Sequence, residues 1–114
     1  MKKVEAIIRS DKLDDVQSAL LAEGFGGFVV ADVRGHGAEG SPAGEYRGTP
    51  FTMSVRHKLM LQIVVDDAEM PEVVRCITEA ARTGQVGDGI VMVTDVLDVI
   101  QIRTGFTDHA AVHD

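Results

Sequence analysis

The sequence predicts a two-layer α+β domain, an antiparallel sheet carrying both of its helices on one face. Three observations lead there. Strand-like and helix-like segments alternate as β-α-β twice, the second unit repeats the apolar pattern of the first, and one long turn-rich stretch joins them. Ile8, Leu13, Val16 and Leu20 return as Val65, Met70, Val73 and Ile77 at one constant spacing. Two such units in one sheet make the split βαβ, ferredoxin-like sandwich. A doubly wound parallel sheet would need more strands and no long hairpin connection between its halves.

The elements follow in order. Residues 2–9, KKVEAIIR, form the first strand by alternation. An amphipathic helix comes next: Ser10 or Asp11 is placed to cap it, Leu13, Val16 and Leu20 recur at helical spacing, and Gly24 ends it. Residues 26–34 form a second strand. Residues 35–56 contain glycines and prolines without a sustained period and read as a long loop. Residues 58–65, KLMLQIVV, resume a strand. A second helix carries Met70, Val73, Val74 and Ile77 on one side and stops before Gly84. Residues 90–96 form a fourth strand, residues 97–105 a short fifth one, and 105–114 a loop or tail.

At 114 residues the chain is one domain, 1–114, long enough for a single core. Acidic residues outnumber basic ones, 18 against 11, which argues against general nucleic-acid binding because that requires a basic surface. The single cysteine, Cys76, excludes an intramolecular disulfide, points to a reducing compartment, and falls within the apolar stretch of the second helix as a small core residue. The opening MKKVEAIIRSDK does not have the pattern of a secretory leader, and no apolar run approaches the ~20 residues of a membrane helix. A cytoplasmic protein is the expectation.

The strands also speak to assembly. Val4, Ala6 and Ile8 share one side of the first strand, with Ile7 on the other; Leu59, Leu61, Ile63 and Val65 share one side of the third, with Met60 and Val64 opposite. The helices can cover only one face, so the apolar residues of the other predict a symmetric homo-oligomer.

Residues 83–93, TGQVGDGIVMV, place three glycines between a helix and a strand. Glycines in such a turn let backbone N–H groups converge on an anion. By spacing alone, Gly87-Asp88-Gly89 is either a connecting turn or such a cradle. No nucleophile–base set and no clustered metal ligands appear, so an enzyme is not expected.

VRGHGAEG at 33–40, EYRGTPF at 45–51, AARTGQVGDG at 80–89 and IQIRTG at 100–105 resemble the PII signal-transduction family, in order and without gaps from residue 1 to about 110. The resemblance implies a homotrimer packed through its sheets, with an adenine nucleotide held in clefts between subunits. It implies regulation by binding, with the 35–56 loop (the T-loop) docking on a membrane transporter or a metabolic enzyme, in nitrogen or carbon metabolism. Carried over, the nucleotide-binding positions are Gly35, Gly37, Val64, Gly87, Asp88, Gly89 and Arg103. Glu39 and Lys58 are positions for a second ligand or anion, such as 2-oxoglutarate or bicarbonate. Tyr46, Arg47 and Phe51 lie on the partner-docking loop, where Tyr46 and Phe51 serve either as partner contacts or as loop packing.

The chain departs from the family pattern where charge matters. Positions 38, 90 and 101, commonly cationic in that family, are Ala38, Ile90 and Gln101. Position 51, a tyrosine that is modified in some members, is Phe51, and Val29 replaces a threonine. A hydrogen bond to a charged group contributes about 1.5–3 kcal/mol, so three losses around one cleft weaken a triphosphate most. ADP or AMP is therefore expected ahead of Mg·ATP, and Glu39 disfavours a dicarboxylate. The alternatives are a ligand-independent trimeric scaffold and a bicarbonate or carbon-metabolism sensor of the same fold. His109 and His113 have the spacing of metal ligands on one helical face, but a solvated tail is the expectation, with no metal site.

Overall fold

The computed structural model describes residues 1–35, 44–46, 49–51 and 56–113. Its elements run β1 (Lys2–Arg9), α1 (Leu13–Ala22), β2 (Val29–Gly35), β3 (Gly44–Tyr46), β4 (Thr49–Phe51), β5 (Arg56–Val65), α2 (Met70–Ala81), β6 (Gly89–Asp95) and α3 (His109–Val112). The four long strands form one sheet in the order β2-β5-β1-β6, with every neighbouring pair antiparallel. This is the split βαβ arrangement the repeat predicts.

Alternation decides which face is covered. Val4, Ala6 and Ile8 of β1 and Leu59, Leu61, Ile63 and Val65 of β5 are buried against the helices. From the helices come Val16 and Leu20 of α1 and Val73, Cys76, Ile77 and Ala81 of α2. The repeat-related residues Ile8, Val16, Leu20, Val65, Val73 and Ile77 all lie in this core, with Leu13 and Met70 packed at its margin. A buried aliphatic side chain contributes about 1.5–3 kcal/mol, so these positions hold the two layers together.

Local chemistry sets the helix ends. Gly24 takes φ +87°, its N–H donates to the Leu21 carbonyl at 3.0 Å, and the Phe25 N–H donates to the Leu20 carbonyl at 2.9 Å. That is a Schellman stop, with buried Phe25 supplying the accompanying apolar contact. The start of α1 differs from the expectation. Ser10–Lys12 forms a single 3₁₀ turn, and neither Ser10 nor Asp11 caps α1, whose N-cap is Lys12 without a side-chain bond. The tighter turn supplies the local hydrogen bonding a side-chain cap would have given.

Two further expectations are corrected. Residues 97–105 are not a strand. The Gln101 N–H donates to the Phe106 carbonyl at 2.8 Å, Gly105 turns at φ +75°, and one bridge pairs Ile100 with Thr107. Ile100 and Ile102 alternate as a strand would, but the Thr104-Gly105 turn folds the segment on itself before it can pair along an edge. The segment after it, though largely exposed, is not an irregular tail, because His109–Val112 form the short helix α3 beside the end of β5. Within 35–56, β3 and β4 pair as a small antiparallel hairpin.

Candidate functional site

One end of the sheet gathers five of the sequence-predicted site residues. Antiparallel register brings the end of β1 beside the start of β5 and the start of β6: Arg9 faces Lys58, Ile8 faces Gly89, and Gly35 at the end of β2 faces Arg56. Gly35, Lys58, Gly87, Asp88 and Gly89 therefore share one rim.

The glycine-rich turn on this rim is fixed by its backbone. Gly87 and Gly89 have φ of +107° and +99°, which side chains rarely adopt. A Cβ on Gly89 would also stand 1.7 Å from the Ile7 carbonyl oxygen, so the close approach of β6 to β1 admits only glycine.

Charged side chains brace the same turn. Lys58 is 6% exposed, and its Nζ donates to the Gly87 carbonyl at 2.6 Å. Arg9 donates through Nε to Asp88 Oδ1 at 3.0 Å and through its terminal nitrogen to the Val86 carbonyl at 2.9 Å. Asp88 also accepts the backbone N–H groups of Thr83 at 2.8 Å and Gly84 at 2.9 Å, together with the Thr83 hydroxyl. Hydrogen bonds from the Thr83 side chain and backbone, with further help from Arg9 and the Gly84 N–H, hold the Asp88 carboxyl well below the usual carboxylate range. Its carboxylate is thus turned onto its own loop.

Beside the turn, a cavity of about 340 Å³ opens between the last turn of α2 and β6. Ile7, Ile77, Arg82, Asp88, Gly89 and Ile90 are among the residues lining it. Its size suits a small ligand, and an apolar wall with a few polar groups is the usual make-up of such a site. Ile90, where the resemblance implies a cation, is 57% exposed on this edge.

Val64 is not brought to this rim. Val64 faces Lys3 near the other end of β1, six residues along β5 from Lys58, about 20 Å at strand rise. Arg103 lies in the turn of the segment that follows β6, and β6 ends at Asp95 beside Lys2, also at the far end. Gly37, Glu39 and Arg47 lie outside the described residues. Tyr46 and Phe51 are placed by backbone alone, Tyr46 opposite Thr49 and Phe51 opposite Gly44 in the β3–β4 hairpin.

Arg9 is the residue that sequence reasoning missed. Nothing in IIRSDK marks it; only the β1–β6 register places its guanidinium over the glycine turn.

The helix-free face carries the apolar surplus. Across the four strands, Ile90, Ile7, Met60 and Ala31 stand in one register row on that face. The next row is Met92, Glu5, Gln62 and Val29, with Gln62 donating to Glu5 at 3.0 Å.

Comparison with known proteins agrees with this arrangement along the whole fold. The family model described as nitrogen regulatory protein P-II matches residues 1–106. Nitrogen regulatory protein P-II 1 of Methanothermobacter thermautotrophicus is 47% identical over 105 residues, 92% of this chain and 91% of that protein. The P-II proteins of Synechocystis sp. and Nostoc punctiforme are 45% and 47% identical over 112 residues, 98% of this chain and all of each relative. With its four-stranded split βαβ sheet, its glycine turn and matches of this extent, the chain belongs to the nitrogen regulatory protein P-II family of regulatory proteins.

Proposed function

We propose that the chain is a P-II regulator that binds an adenine nucleotide, ADP or AMP ahead of Mg·ATP, in clefts between the subunits of a homotrimer. The 35–56 loop then controls a partner, a membrane transporter or metabolic enzyme of the cytoplasm. The observation that carries this reading is a division of labour along one sheet. The pre-shaped turn with Lys58 and Arg9 stands at one end, and Val64 stands toward the other, from which the segment carrying Arg103 departs. A single chain cannot close the two halves on one ligand; two copies side by side can.

The Ile90–Ile7–Met60–Ala31 row supports association through the helix-free face, because an apolar strip across an open sheet gains by being covered. Charge supports the choice of ligand. A glycine turn flanked by Lys58 and Arg9 suits a diphosphate or monophosphate, whereas Ala38, Ile90 and Gln101 remove the cations that a triphosphate would use.

Isothermal titration with AMP, ADP, ATP with and without Mg²⁺, 2-oxoglutarate and bicarbonate tests this, alongside mass by light scattering. The expected outcome is a mass three times that of the chain and tighter binding of ADP or AMP than of Mg·ATP. Absence of any binding at millimolar ligand would leave a ligand-independent scaffold. Binding by a monomer would overturn the shared cleft.

A further inference from the structure

At the end of the sheet away from the glycine turn, α3 brings two imidazoles onto the β5–α2 connection. His109 Nδ1 is hydrogen-bonded to Asp66 Oδ2. His113 Nε2 lies 3.0 Å from Glu69 Oε1 and 3.9 Å from the same Asp66 oxygen. The two rings stack with centroids 4.3 Å apart and an interplanar angle of 29°. One ligand atom from each of Asp66, His109 and His113 lies within 4.8 Å of the other two.

We propose that Asp66, His109 and His113 form a binding site for a borderline first-row divalent cation of the zinc type, with Glu69 as its fourth ligand. The donor chemistry selects that class: two imidazole nitrogens with carboxylate oxygens suit Zn²⁺ and its neighbours, whereas Mg²⁺ and Ca²⁺ take oxygen alone. The geometry is close to what is required. Tetrahedral ligands at about 2.0–2.1 Å from zinc lie about 3.3 Å from one another, so a rearrangement of roughly an ångström, with His109 and Asp66 moving apart and the wider pairs closing, completes the shell.

A metal takes the two nitrogen lone pairs and the carboxylate charge at once. Its ligands come from opposite ends of the second half of the chain, so the ion would clip the segment after β6 to the β5–α2 turn. The site is separate from the glycine-turn rim and does not rest on nucleotide binding.

The full chain, stripped with chelator, is titrated with Zn²⁺ by calorimetry and with Co²⁺ by visible absorption. One equivalent per chain with the intense band of tetrahedral Co²⁺ is expected. The double variant His109→Ala/His113→Ala should abolish that band, Glu69→Gln should weaken binding by at least about tenfold, the lower end of what loss of even an outer-shell partner costs, and His57→Ala should leave it unchanged. Zn²⁺ should also shift the imidazole proton resonances of His109 and His113 in the unaltered chain, a readout that needs no variant to fold. No saturable binding, or binding that shifts only His36 and His57, would overturn the site.

Discussion

The two ends of the sheet are held by different chemistry. At the glycine-turn end the restraint is backbone conformation and close packing: positive φ at Gly87 and Gly89, a backbone approach that excludes any Cβ, and a buried ammonium on the Gly87 carbonyl. At the α3 end the restraint is a few partly exposed side-chain pairs, His109 with Asp66 and His113 with Glu69. The first kind admits one conformation, which suits a cradle that must meet a ligand without rearranging. The second is a weak and adjustable tie, because exposed polar pairs contribute little and respond to salt and metals.

Gly89→Ala is the change that breaks this comparison hardest. The added methyl would meet the Ile7 carbonyl, so β6 must move off β1 or the turn must rebuild. A loss on the order of 3–5 kcal/mol is expected in urea unfolding, as for other substitutions that force backbone displacement. A loss under about 1 kcal/mol would mean that the rim is pliable, and the contrast between the two ends would fail.

Asp88→Asn acts on the same end through charge. The folded-state pKa of Asp88 lies below its unfolded value, so its contribution is full above that unfolded value, near ~3.9, and is lost as pH falls through the folded value. The parent chain should therefore lose more stability between pH 5 and pH 2 than Asp88→Asn does, and the variant should be the less stable of the two at pH 7. Thermal melts across that range measure both. Parallel pH profiles would mean that the loop's hydrogen bonds do not depend on the carboxylate's charge.

What could be read in advance divides along similar lines. The strands that cover the core, both helices and the Gly24 stop are legible because alternation, helical spacing and a C-terminal glycine are local signals. The glycine turn was legible as a candidate, but its bracing was not: Arg9 and Asp88 are 79 residues apart, and only strand register joins them. The apparent fifth strand failed because the alternation of Ile100 and Ile102 carries no information about the turn at Gly105 that cancels it. Docking of α3 was invisible for the same reason as Arg9, since the partner of His109 lies 43 residues earlier. The separation of Val64 from the glycine turn is likewise a property of strand register, which no single motif contains.

The smallest expected effect is at the other end. His113→Ala removes one imidazole whose side chain is 34% exposed, facing a Glu69 that is 28% exposed. With chelator present, the loss should stay within about 1 kcal/mol, as for exposed pairs generally, or a few degrees in Tm. The same comparison with Zn²⁺ added gives the measurement its force. A ligand that binds only the folded state stabilises it by RT ln(1 + [L]/Kd), so the parent chain should gain and His113→Ala should gain far less. A gap between the two proteins that widens with Zn²⁺ marks the α3 end as adjustable by metal. A gap that stays constant would make it an ordinary pair of surface contacts and remove the functional side of the contrast with the glycine turn.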